Sequence, residues 1–460
     1  MKLSTGLLSI AALTASACLL PEERETESEF QSTGVRPSRS RRFPAQSKRQ
    51  SSSFPIGKDD RFQDGTLPPV GLGLDNDERK DSILTPAEIE SGLRGLKAAY
   101  PDFVELFTPP FETYEGSQLP GAVIGGDDEP RVFLMSGIHA RERGGPDHTL
   151  YFIGDLLAAH ANGTGLTYGR KRYSAQDVRT ALSAGAVVLP LTNPDGVAHD
   201  QSTGSCWRKN RNPGSSSGIG DDPVVGVDLN RNFDFIFDYK TAFNADADIS
   251  SAASDDPASE IYHGASAFSE PETQAVRWAV RRWNRSLSWF LDLHSYGGDV
   301  LYAWGDDDAG TERPDMNFAN GEFDGARGFT GRDPPDSVYR EFIFAEDLST
   351  EVTVTLRMAA AMKRAGGIRY KASPSVDLYP MSGGSNDWAM GRYYGKTECG
   401  AGRVLGLCVE FGAASAADWS CPFYPDGDEY HQSMRQVAAG LMELMLAAAG
   451  REGKTKFWEC

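Results

Sequence analysis

Residues 131–142 read Arg-Val-Phe-Leu-Met-Ser-Gly-Ile-His-Ala-Arg-Glu, an apolar run that gives way at once to a polar cluster containing His139, Arg141 and Glu142. Three more runs end in the same phase. The run 186–191 is followed by Thr192-Asn193-Pro194-Asp195-Gly196, the run 289–293 by His294-Ser295-Tyr296, and the run 404–409 by Glu410-Phe411-Gly412. Short, nearly continuous apolar runs predict strands buried on both faces. Helical patterns lie between them at 149–160, 271–283 and 433–448. A helix nearer the N-terminus is marked by Thr85 as cap, Pro86 at its first position, and Ile89, Leu93 and Leu96 on one side. This alternation predicts an α/β fold in which a mainly parallel mixed central sheet is covered by helices on both faces. Ligands of such sheets bind outside the carboxyl ends of the strands, so the four polar clusters are expected to converge there.

The chain has 460 residues, 40% of them hydrophobic and 24% charged, with 46 Lys+Arg against 65 Asp+Glu. A wholly disordered chain is excluded by that composition. The formal net charge of −19 leaves no electrostatic source for binding a phosphate backbone, so no nucleic-acid partner is expected.

At the front, Met1-Lys2, an apolar stretch over 7–13 and Ala15-Ser16-Ala17 form a signal-peptide pattern, too short to cross a bilayer. Residues 1–17 are therefore expected to direct export of a chain with no membrane span. Cys18 follows directly and supplies a lesser alternative, a lipid anchor on a bacterial envelope. Residues 18–81 carry an acidic patch and then a basic Ser/Pro-rich tract with the pairs Arg41-Arg42 and Lys48-Arg49. With little apolar periodicity, this stretch is predicted to be a disordered linker or short propeptide. Residues 82–450 are predicted to form one catalytic domain and 451–460 a C-terminal tail. Six cysteines are too few for a disulfide scaffold. In an exported protein Cys206, Cys399, Cys421 and Cys460 are disulfide candidates, whereas Cys408, inside an apolar run, reads as a small buried hydrophobe. Asp306-Asp307-Asp308 reads as a solvated loop, within an enlarged polar region over 305–350.

His139 and Glu142 stand three residues apart at a strand-to-helix turn, a spacing that lets an imidazole and a carboxylate reach one point. His294 ends another apolar strand. Together they make a His₂Glu set, the ligand pattern of a catalytic zinc that keeps a fourth position open. Glu410 ends an apolar strand as well, and burial there would raise its pKa toward the range of a useful base.

The motifs G-I-H-A-R-E, N-P-D-G, W-R-K-N-R, G-V-D-L-N-R-N-F, S-E-I-Y-H-G, H-S-Y, Y-P-M-S-G-G-S-N-D-W and V-E-F-G follow one another between residues 84 and 448. In this order they resemble the zinc carboxypeptidases related to carboxypeptidases A and B. The resemblance implies one Zn²⁺ per chain on His139, Glu142 and His294, with Glu410 as general base. It further implies that Arg208 holds the developing oxyanion, that Asn230 and Arg231 grip the terminal carboxylate of the substrate, and that Tyr379 closes over it. Arg141 and Tyr296 resemble residues of neighbouring subsites. Asn386 falls at the floor of the side-chain pocket, and because an amide cannot offset the desolvation of a buried Lys or Arg, a preference for neutral side chains is expected.

The expected function is thus that of a secreted, monomeric zinc metallocarboxypeptidase acting on peptide or protein C-termini, with glutamate-assisted attack of water at the zinc. Two alternatives remain at this level. A related zinc amidase would act on cell-wall peptides or other amides bearing a free carboxylate, which Arg231 would serve equally. An inactive binding homologue would lack a ligand or Glu410, and none of these is missing.

Overall fold

The computed structural model describes residues 19–33, 53–74, 79–125, 129–215, 225–330, 339–415, 421–450 and 456–459. The signal-peptide pattern at 1–17, Cys18, the two dibasic pairs and Cys460 lie outside them. In chain order the helices are α1 (Pro21–Thr33), α2 (Pro86–Ala99), α3 (Gly145–Asn162), α4 (Ala175–Ser183), α5 (Pro194–Thr203), α6 (Tyr239–Ala242), α7 (Pro271–Arg282), α8 (Ala345–Gly366), α9 (Ser385–Tyr394) and α10 (Gly427–Ala449). The strands are β1 (Val104–Phe107), β2 (Gly121–Ile124), β3 (Val132–Ser136), β4 (Leu166–Tyr168), β5 (Lys171–Tyr173), β6 (Ala186–Leu189), β7 (Trp289–Ser295), β8 (Asp299–Tyr302), β9 (Ala309–Gly310), β10 (Glu341–Phe342), β11 (Lys371–Pro374) and β12 (Leu405–Phe411).

Eight strands form one mixed sheet in the order β1-β2-β6-β3-β7-β12-β8-β11. The run β6-β3-β7-β12 is parallel, as expected, and the antiparallel pairings lie outside it, at β1/β2, β2/β6 and β12/β8. All seven residues of β7 and of β12 are buried, so both faces of the centre are covered. On one side α3, α4, α8 and α10 pack on one another, and α9 packs against β7 and β12. The apolar residues interdigitate across the ladder: the Phe133 and Phe290 rings stack at 5.1 Å. α2 starts as the sequence predicts, with Thr85 and Glu88 forming a reciprocal capping box that satisfies two otherwise unpaired donors. Among the described residues no helix is long and apolar enough to cross a membrane.

Two expectations need correction. The stretch 18–81 is not a featureless linker: α1 is helical, and 53–74 is docked on the domain. Phe54, Phe62 and Leu72 are buried there, with the Phe54 ring 4.6 Å from that of Tyr430 on α10. Gly71 and Gly73 donate their backbone N–H groups to the buried Asp155 carboxylate on α3. These anchors are single apolar residues spaced too widely to register as a periodic pattern, which is why composition alone suggests disorder. The acidic run is the second correction, because Asp306 and Asp307 are fully buried. Burial raises the Asp306 carboxyl to about 6 despite the nearby Arg327, and burial with Asp306 as neighbour raises Asp307 to about 8. The described part of 305–350 is therefore ordered and contains β9 and β10.

Of the cysteines, Cys206 and Cys421 form a disulfide, Cys399 is also disulfide-bonded, and Cys408 is buried on β12. At the C-terminal end, residues 456–459 pair with 400–403, Arg403 donating to the Lys456 carbonyl and Trp458 to that of Ala401. The Cys206–Cys421 bond closes a loop of 215 residues, which constrains the unfolded chain strongly. Replacing both cysteines by Ala is expected to cost about 2–5 kcal/mol of stability, read as a lowered midpoint in denaturant unfolding.

Candidate functional site

The parallel register decides which side chains meet. β3, β7 and β12 are neighbours, and their carboxyl ends carry the His139–Glu142 turn, His294 and Glu410 respectively. Glu410 and His294 are direct Cα partners in the β12/β7 ladder. The N-P-D-G cluster after β6 acts locally on the backbone. Asn193 caps α5 by accepting from the Gly196 N–H, while its amide donates to the carbonyls of Ile138 and Lys209. It fixes the turn that presents His139.

At the strand ends, Nδ1 of His139 lies 2.7 Å from Oε1 of Glu142, Nδ1 of His294 lies 3.1 Å from Oε2 of Glu142, and the two Nδ1 atoms are 3.1 Å apart. His139, Glu142 and His294 are all buried, and each offers one ligand atom within 4.8 Å of the others. Each ring is steered from behind. Nε2 of His139 is 3.0 Å from the Asp228 carboxylate and Nε2 of His294 is 2.9 Å from that of Asp292. The carboxylates assign the ring protons to Nε2, so both Nδ1 atoms present lone pairs to a common point. With the ring protons held there, two Nδ1 lone pairs and a carboxylate converge on one point, a donor set suited to a cation. Zinc, about 2.0–2.2 Å from nitrogen and oxygen ligands in tetrahedral geometry, suits this donor set and spacing.

Asp228 joins the ligands to Arg208, whose Nε and Nη2 donate to its Oδ2 at 3.1 and 2.8 Å. Nη1 of Arg208 thereby reaches 3.3 Å from Nδ1 of His139. On the other side, the side-chain amide oxygen of Asn230 accepts from the Ser385 N–H at 2.9 Å, and the Ser385 hydroxyl donates to Asp292 at 2.6 Å. A continuous polar network thus runs from Arg208 through both histidines to the start of α9. Its electrostatics follow from burial set against opposite charge. Burial opposes ionisation of Glu142, but His139 and His294 outweigh it and hold the carboxyl below the usual range. For Asp228, burial is again the largest influence, and Arg208 followed by His139 more than offsets it, holding the group well below the ordinary value.

The remaining predicted residues surround this network. Arg231 donates to the carbonyls of Asn230 and Ser251 at 2.9 and 3.1 Å, and its guanidinium lies 5.8 Å from the Tyr379 ring. Gly383, with φ +66°, lets the turn before α9 press against the Arg231 backbone, where a Cβ would come within 2.1 Å of its carbonyl oxygen. Asn386 is buried on α9, and its carbonyl sits so close to Gly406 on β12 that a side chain there would clash at 2.5 Å. Arg141 is fully buried, stacks at 4.5 Å on Phe423, and is held by Glu23 of α1. Tyr296 packs on the same Phe423 ring at 4.8 Å.

Residues 89–406 match the zinc carboxypeptidase family. The chain belongs to that family. The match takes in His139, Glu142, Arg208, Arg231, His294 and Asn386 and stops before Glu410. Carboxypeptidase B of Astacus astacus is 29% identical over 307 residues, covering 66% of this chain and 80% of that protein. Carboxypeptidase A4 of Mus musculus is 28% identical over 268 residues, 58% of this chain and 49% of the relative. Against most of the curated relatives it matches, the chain spans about half of their length. The crystal structure of carboxypeptidase A from Helicoverpa armigera superposes with a TM-score of 0.57 at 22% identity, covering 81% of this chain and 75% of that one, a likeness of fold.

For a zinc carboxypeptidase, the groups that sequence reasoning missed are those behind the ligands: Asp228, Asp292 and Ser385. Asp292 left a signal, since it lies two residues before His294 in a strand and so shares its face. Replacing Asp292 by Asn is expected to preserve the fold and weaken zinc binding by roughly 10–100-fold, measured by competition with a chelator.

Proposed function

We propose that this family member is an exported metallocarboxypeptidase that removes the C-terminal residue of peptides and proteins, working as a monomer with one zinc ion held by His139, Glu142 and His294. The observation that carries the reading is the adjacency of Asn230 and Arg231: Asn230 is wired through Ser385 and Asp292 to the ligand His294, and the next residue presents a buried guanidinium. A group fit to hold a carboxylate is thereby fixed relative to the metal ligands, as cleavage at a chain end requires. Arg suits this because its planar fork matches a carboxylate in two hydrogen bonds.

Bound zinc supplies Lewis acidity, which polarises a carbonyl and makes water acidic at neutral pH. The chain's own residues do the rest. Glu410, on the strand beside His294, takes a proton from the attacking water and passes it to the leaving amine. Arg208, braced on Asp228 beside the histidines, stabilises the oxyanion that develops on the scissile carbonyl. Asn230 and Arg231 bind the substrate carboxylate and Tyr379 closes over it. Arg141 and Tyr296 contact residues upstream of the cleaved bond. Asn386 provides an uncharged pocket floor, so residues with neutral side chains are released in preference to Lys or Arg. The disulfide-bonded cysteines support an oxidising destination.

The zinc-loaded protein is expected to release neutral C-terminal residues from a peptide library, and Glu410→Gln to keep its zinc while losing roughly 10²–10⁴-fold in kcat. Equal turnover in that variant would contradict the assignment of the base. Arg231→Ala and Arg208→Ala should separate kinetically. The former raises KM, and the latter lowers kcat by about 10²–10³-fold, as expected for a group that acts on charge formed in the transition state.

A further inference from the structure

Two Asn-x-Ser/Thr triplets, Asn162-Gly163-Thr164 and Asn284-Arg285-Ser286, have no part in the chemistry described above. In an exported chain such a triplet is an acceptor for an N-linked glycan, provided that the asparagine amide and the hydroxyl are free to be used. The fold treats the two in opposite ways.

Asn162 is the last residue of α3, and Asn162, Gly163 and Thr164 are all exposed. Gly163, at φ +65°, turns the chain off the helix, and its N–H closes the last turn on the carbonyls of Ala159 and His160. A Cβ built on it would meet nothing within 4 Å, so the turn stands in open space. The position is also remote from the zinc ligands. α3 starts at Gly145, just after Glu142, and at a rise of about 1.5 Å per residue its 18 residues carry Asn162 about 27 Å from that end. Because β6 runs parallel to β3, the chain has to return to the opposite edge of the sheet between them, and α3 makes that return. Asn162 therefore lies toward the amino ends of the parallel strands, away from the cleft.

Asn284 is engaged on every side. It is half-buried between α7 and β7, where its side-chain oxygen accepts from the Arg392 guanidinium and from the Gly402 N–H, each at 2.9 Å, and its amide nitrogen donates to the Gly400 carbonyl. The Ser286 hydroxyl is taken up as well, donating to the Trp283 carbonyl at 3.2 Å. One amide thus ties the end of α7 to α9 and to the 400–403 segment. A sugar on its nitrogen would force the Gly400 contact open.

We propose that Asn162 is the N-glycosylation site of this chain and that Asn284 is a structural amide that stays free of sugar. The proposal rests on the reading of the protein as exported. Nδ2 of Asn162 forms a bond to the anomeric carbon of an oligosaccharide delivered as a lipid-linked pyrophosphate. The bond from that carbon to the pyrophosphate oxygen breaks, the pyrophosphate leaves with the electron pair, and Nδ2 gives up one proton to solvent. The glycan covers the turn between α3 and β4 and leaves the peptide cleft open.

The test secretes the full-length chain from a eukaryotic host that glycosylates exported proteins, as wild type, Asn162→Gln, Thr164→Ala and Ser286→Ala. Each form is mapped by peptide mass spectrometry before and after an amidase that removes N-glycans from folded protein. Wild type and Ser286→Ala are expected to carry a glycan on Asn162 alone, released without unfolding, and Asn162→Gln and Thr164→Ala to lose it entirely. Zinc-loaded wild type should release a C-terminal residue from a synthetic peptide at the same rate before and after the glycan is removed, and a rate that rises on removal contradicts its placement away from the cleft. A secreted wild type bare at Asn162, or bearing sugar on Asn284, overturns the proposal while the export reading stands. A chain retained in the cell without a glycan overturns both. If no form releases residues, the peptidase reading falls and the glycan map decides the proposal by itself.

Discussion

Nδ1 of His139 and Nδ1 of His294 face each other at 3.1 Å where almost no solvent reaches. A cation between them suits that approach, and the surroundings are arranged to keep it. Asp228 and Asp292 hold the outer nitrogens, Glu142 closes the third side, and the Ser295 N–H donates to Glu142 at 3.1 Å. Buried charge of this kind is costly when unpaired and tolerable when every member has a partner. The sheet supplies the rigidity: three adjacent parallel strands end at the same level, and their side chains cannot drift apart without breaking the ladder. Arg208, Asn230 and Ser385 are held in place because they bond to the carboxylates that steer the histidines.

Much of this is legible in the sequence because the polar clusters keep phase with the apolar runs. A strand that ends in His-Ser-Tyr or Glu-Phe-Gly places its polar residue at the carboxyl end of a sheet, and four such strands point to one crevice. That phase brings His139, Glu142, His294 and Glu410 to the same end of the sheet. Asp228 and Asp292 are less visible. One sits in a motif whose neighbours carry the more obvious chemistry, and the other interrupts an apolar strand at a position that looks like a packing defect until its partner is known. The burial of Asp306 and Asp307 is illegible for a different reason: three consecutive acids read as solvated unless a remote arginine, here Arg327, and an ordered insertion enclose them. The docking of 53–74 and of α1 depends on isolated anchors such as Phe54 and Glu23, whose partners lie far off in sequence.

The net charge of −19 acquires a structural meaning in this arrangement. The positive groups of the cleft are set within an acidic chain, and α1, one of its most acidic stretches, lies against them. Glu23 of α1 pairs with Arg141 there.

The most direct measurement is X-ray absorption at the zinc edge on the zinc-loaded full-length protein. Coordination by His139, Glu142 and His294 predicts a first shell of nitrogen and oxygen only, at about 2.0–2.2 Å, with the outer-shell scattering of two imidazoles. A sulfur ligand at about 2.3 Å, or a shell of oxygens without imidazole scattering, would contradict it.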